Sequence, residues 1–118
     1  MGAAVAFFEV ISKNPDRIRE FYTEVFGWTT ADSGQPGYWL ADTAAGGEAI
    51  GGGIGGPQPG ETSGRTTIYM RVDDLQAYLD KAERLGGKTL VPPTPLPGDF
   101  GSFAMFADPD GQAVGLWA

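Results

Sequence analysis

Three side chains in this sequence have both the chemistry and the strand positions to act on a small molecule: Glu9, Tyr69 and Arg71. A carboxylate or a phenol can serve as general acid or base, and a guanidinium can steady an anion. Phe7, Trp39, Thr67, Met105 and Trp117 are candidates to line a pocket around them, with aromatic walls for affinity and a hydroxyl for orientation. What is missing narrows the chemistry further. The chain has no cysteine and no histidine. That excludes disulfides, thiolate zinc sites and cysteine nucleophiles, and it removes the commonest metal ligand and the usual base near neutral pH.

Each candidate also has a plainer account. An inward Glu9 is either a ligand-contacting acid or a structural partner of Arg71, because a buried carboxylate needs a partner. Any one of the aromatic candidates could be core packing. The glycine run GGGIGG at 51–56 lacks the Lys-Ser/Thr and the helix of a phosphate loop. It reads instead as a place where strands or a ligand approach closely. The segment DPDGQ lacks the alternating acids of a calcium loop and reads as a hairpin turn.

The elements that must position these residues come from a duplication. Residues 7–28, FFEVISKNPDRIREFYTEVFGW, align without a gap on residues 67–88, TIYMRVDDLQAYLDKAERLGGK. Asn14 falls on Asp74 and Gly27 on Gly87, and the apolar positions recur in place. In the first copy Val5–Ile11 reads as a strand, Asn14-Pro15 as a capped helix start and Gly27 as the helix stop. Ile18, Phe21, Tyr22, Val25 and Phe26 form the helix's apolar stripe. Short strands follow at 28–30, 38–40 and 49–55.

The second copy repeats the plan, with a strand at 66–72 and a helix capped by Asp73 or Asp74. Its stripe is Leu75, Tyr78, Leu79, Ala82 and Leu85, and it ends at Gly86-Gly87. Strands are expected at 88–91, 103–107 and 113–117, and the segment 92–101, PPTPLPGDFG, is expected to be a loop without regular structure. The fold class is therefore α+β: two tandem βαβββ units forming a curled, half-open sheet around a shared cavity, helices outside. The chain is read as one domain, 1–118, with unit one at 4–56, a linker at 57–64 and unit two at 65–118. Phe7, Glu9, Thr67, Tyr69, Arg71, Gly115 and Trp117 fall on the face opposite the helices.

The overall balance agrees with a globular domain: 42% hydrophobic and 19% charged residues over 118 positions. Fifteen acidic against 8 basic side chains give a formal charge of −7, which argues against a nucleic-acid or anionic-membrane partner. The N-terminal stretch lacks a basic region ahead of its apolar run, so no signal peptide is read and a cytoplasmic protein is expected.

The segments FFEV, FYTEVFGW, VDDL with ERLGGK, and FADPDGQAVGLW resemble the vicinal oxygen chelate superfamily, which includes glyoxalase I, extradiol dioxygenases and the fosfomycin- and bleomycin-resistance proteins. The resemblance covers nearly the whole chain. It implies a divalent metal held by histidines and a glutamate, and a tendency of small members to form homodimers. The residues that match the family's ligand positions are Phe7, Thr67 and Gly115, with Gly51 on the matching strand of the first unit. Phenylalanine and glycine have no side-chain donor, and a lone threonine hydroxyl is a poor ligand. A two-residue slip would bring in Glu9, but one carboxylate is not a site. No cofactor is expected.

These residues admit functions of different classes. One is a metal-free binding protein for a small, flat, partly polar molecule, working by sequestration as the bleomycin-resistance branch does. Another is a lyase or isomerase using Glu9 or Tyr69 as acid or base, with Arg71 at the anion, or an atypical metal site. A third is an interaction module whose pocket is filled by its own side chains. The sparse catalytic equipment favours binding.

Overall fold

Both copies of the duplicated pattern fold as the alternation of apolar residues and caps dictates. The computed structural model describes residues 2–44, 47–57, 61 and 64–118. Its elements run β1 (Val5–Ile11), α1 (Pro15–Phe26), β2 (Thr29–Asp32), β3 (Tyr38–Asp42), β4 (Gly51–Gly55), β5 (Arg65–Arg71), α2 (Leu75–Arg84), β6 (Lys88–Pro95), β7 (Ser102–Ala107) and β8 (Ala113–Trp117). Among the described residues the chain is thus α+β, two helices and eight strands. It divides into two compact units, one of Phe7–Thr66 and one of Thr67–Ala118 together with the residues before Phe7. Of the expected linker, positions 58–60 and 62–63 lie outside the described residues, as do 45–46 of the turn after β3.

In the first unit the strand order is β2-β3-β4-β1, an open mixed sheet with β1 and β4 parallel and the other neighbours antiparallel. Asn14 caps α1 by accepting from the Arg17 amide at 3.4 Å, and Gly27 ends the helix at φ 72°. The core is Val10, Ala41 and Ile54, with Phe8, Ile18, Tyr22 and Trp28 packed on it. The expected stripe of α1 is only half used. Phe21, Val25 and Phe26 are more than half exposed, and no residue of the helix is fully buried. The reason lies in β4, whose sequence GGGIG offers one side chain toward the helix. Phe8 and Trp28 fill the gap instead, with Tyr22 stacked on Trp28 at 5.1 Å.

In the second unit the order β5-β8-β7-β6 repeats that pattern, again with one parallel pair, β5 with β8. Here Asp74 caps α2 at 3.0 Å from the Ala77 amide, and Leu75 and Leu79 are buried with Val72, Ala104 and Leu116. One expectation is corrected. The stretch 92–95 is not loop but the second half of β6, pairing Thr94 with Phe103 and Pro95 with Ser102 through two register shifts. β6 is the outermost strand of its sheet, so a proline there removes no ladder bond the sheet needs.

Candidate functional site

Glu9 is set by the pairing of β1 with β4, which places it beside Gly53. Without a side chain at Gly53, the Tyr38 ring lies across that strand, and a Cβ there would collide with the Tyr38 hydroxyl. Tyr38 donates to Glu9 Oε2 at 2.8 Å, and Arg65 pairs with Glu9 Oε1 at 2.9 Å. Arg65 also reaches Glu61 at 2.7 Å. The Glu9 and Arg65 side chains are only 12% and 16% exposed. Both oxygens of Glu9 are therefore engaged within the protein. The expected partner, Arg71, stands at the other end of β5 from Arg65, roughly 20 Å along an extended strand. One carboxylate cannot serve both, and the ion pair forms with Arg65.

Trp39 pairs in register with Ile54 of the helix-side core, and Arg19 of α1 lies 4.2 Å from its ring centroid. It is on the helix face, not on the face of Glu9. Phe7 stands opposite Gly51, its ring 3.6 Å from where a Cβ at that glycine would be.

In the second unit Thr67 and Tyr69 are buried, and the Tyr69 hydroxyl donates to Met105 Sδ at 3.8 Å. Tyr69 is in register with Gly115, and its ring covers that glycine so closely that a Cβ there would fall inside it. Met105 is in register with the same glycine from the other side. Arg71 is in register with Trp117, its guanidinium 4.5 Å from the indole centroid. The Trp117 N–H donates to the Phe100 carbonyl at 2.7 Å. Tyr69, Arg71, Met105, Gly115 and Trp117 therefore form one aromatic-lined face, opposite the side on which Met70 and Leu116 meet Tyr78 and Lys81 of α2.

The residues at the metal-ligand positions do not fit a divalent ion. Phe7, Gly51 and Gly115 supply no donor atom, and the place a glutamate would occupy at 115 is taken by the Tyr69 ring. Among the described residues no three His, Cys, Asp or Glu side chains gather into a cation site. Clefts do open elsewhere. One of about 510 Å3 lies beside α1 and one of about 260 Å3 beside α2, and neither includes Glu9, Tyr69, Arg71 or Trp117.

Sequence reasoning missed Tyr38, Arg65 and Phe100. Arg65 opens β5 one residue before the expected strand, on the face of Thr67, Tyr69 and Arg71, and Tyr38 gains its place only because Gly53 leaves room. The signal for Tyr38 was present as the unexplained glycine run. The ring that approaches β4 is the protein's own, as is that of Phe8 on Gly52.

Comparison with known proteins agrees with this architecture. The chain is 38% identical over 106 residues to "Putative glyoxylase CFP32" of Mycobacterium tuberculosis, covering 84% of this chain and 39% of that protein. It is 30% identical over 131 aligned positions to the anthracycline biosynthesis protein DnrV of Streptomyces peucetius, covering 97% of this chain and 46% of that one. The chain thus spans less than half the length of these curated relatives. Among solved structures, the Mn(II)-bound glyoxalase of Novosphingobium aromaticivorans superposes with a TM-score of 0.66 at 18% identity, over 98% of this chain and 38% of that one. A superfamily member from Vibrio splendidus 12B01 superposes with a TM-score of 0.63 at 10% identity, over 98% and 97% of the two chains. These likenesses are of fold. A family model matches residues 4–116. The chain belongs to the Glyoxalase/Bleomycin resistance protein/Dioxygenase superfamily.

Proposed function

We propose that this chain is a small-molecule-binding member of its superfamily that works without the family's metal, holding a flat, partly polar compound by sequestration or carriage. The observation that carries this reading is the Tyr69 ring lying on Gly115, where the family's carboxylate would stand. An aromatic surface replaces a ligand set. Trp117 would supply apolar contact and Arg71 polarity, with the buried Tyr69, Met105 and Thr67 behind them. The Streptomyces relatives bear names from anthracycline biosynthesis, which makes a fused-ring polyketide a sensible first probe. A homodimer in the cytoplasm completes the proposal.

A second reading, a lyase or isomerase, draws on the name of the mycobacterial relative. It would have to use Tyr69, since Glu9 is spent on Arg65 and Tyr38. One experiment separates the two. A panel of flat aromatic compounds including an anthracycline is screened by melting temperature and tryptophan fluorescence, with the compound recovered afterwards. Binding predicts a stabilisation of about 2.7 kcal/mol at a hundred times the dissociation constant, with the compound unchanged. Consumption of the compound, abolished by Tyr69→Phe, would establish the lyase. A panel in which nothing shifts melting leaves an interaction module.

A further inference from the structure

Arg71 is the group that binding of a neutral flat molecule leaves without a purpose. In a chain with 15 acidic and 8 basic side chains, no carboxylate among the described residues pairs with it. Its side chain is exposed and lies over the Trp117 indole at 4.5 Å. A guanidinium held over a ring face still carries N–H donors in the fork that matches a carboxylate with two parallel bonds.

The platform beneath is held in place. The Trp117 N–H is fixed by the Phe100 carbonyl at 2.7 Å. The turn that carries Phe100 is closed by the Leu96 amide on the Gly101 carbonyl at 2.8 Å, and Ser102 and Ala118 exchange two backbone bonds of 2.9 Å beside it. Gly101 has φ 80°, and a Cβ there would run into the Ala118 carbonyl, so the turn admits only glycine at that point. The indole therefore does not need to be ordered when a ligand arrives. Tyr69, two residues before Arg71 on the same strand face, is buried with Met105 behind the platform.

We infer that Arg71 on Trp117 is the subsite for the anionic end of the ligand, and that the ligand class is an aromatic carboxylate. This rests on the binding function proposed above and names its ligand. The net charge of −7 opposes an approaching anion at long range. At about 0.1 M salt that field is screened beyond roughly 10 Å, so the guanidinium decides the matter at contact.

The test is isothermal titration of 2-naphthoate and its neutral counterpart 2-naphthamide against the wild type, Arg71→Met and Arg71→Lys. The wild type is expected to bind naphthoate about tenfold more tightly than the amide. Arg71→Met should bind the two alike. Arg71→Lys, which keeps the charge without the fork, should retain only part of the preference, and it carries the test alone if the Met variant does not fold. Equal affinities in the wild type, or a preference that survives in Arg71→Met, would overturn the subsite. So would the failure of both probes to bind. In that case the binding function still stands if neutral compounds of the wider panel raise the melting temperature.

Discussion

Gly115 pairs with Tyr69 and Gly51 with Phe7, so the register matches Gly115 to Gly53 and not to Gly51, and the surroundings of Gly115 and Gly51 make opposite forecasts. A side chain at Gly115 would displace the Tyr69 ring and bury whatever polar group it carried. Gly115→Glu, which restores the family's carboxylate in name, should cost at least about 3 kcal/mol in urea unfolding and should not confer Mn(II) binding. At Gly51 an added Cβ would meet Phe7 at 3.6 Å, an ordinary contact. Gly51→Ala should therefore leave stability within about 1 kcal/mol of the wild type, on the stabilising side if the strand gains from lost unfolded-state freedom. A Gly115→Glu protein as stable as the wild type would mean that the ring is not fixed where it lies. Glu9 teaches the same lesson in its polar form. Its inward position was legible from strand alternation, but its partner was not, because an ion pair is chosen by reach in space.

At the scale of elements, the two helices share a sequence plan but differ in how firmly they are held. Asp74 caps α2 at 3.0 Å, whereas Asn14 reaches the Arg17 amide at 3.4 Å, near the limit of a useful bond. Asp74→Ala should cost about 1 kcal/mol in chemical denaturation, and Asn14→Ala less than half of that. Equal losses would show that the long Asn14 bond is worth as much as the short one. The positions of both helices and of β1, β5 and β8 were open to sequence reading, because caps, glycine stops and apolar spacing are local signals. The extension of β6 through 92–95 was not. Proline argues against a strand wherever its missing N–H would be needed, and only the sheet order shows that β6 is an edge where it is not. The partial exposure of α1 was hidden for a like reason, since a stripe shows which side is apolar and not what stands beneath it.

For the molecule as a whole, the donor chemistry at the family's ligand positions leads to a forecast about stability. Because Phe7, Gly51 and Gly115 offer a divalent ion nothing to bind, a chelator should not lower the melting temperature, and added Mn(II), Ni(II) or Zn(II) should not raise it. A rise of several degrees with one equivalent of any of these would reveal a site built from other atoms. The amino-acid sequence by itself determined the family, the α+β class, the duplicated unit and the lack of histidine and cysteine. The family was legible as a resemblance of four motifs in order, and the rest follows from composition and short-range periodicity, which survive without coordinates. Tertiary structure alone decided that Glu9 is held by Arg65 and Tyr38, that Trp39 faces α1, and that Tyr69 covers Gly115 while Arg71 lies on Trp117. Those facts depend on strand register and on the space that a missing side chain leaves to a distant ring, and neither is written in the spacing of residues along a chain.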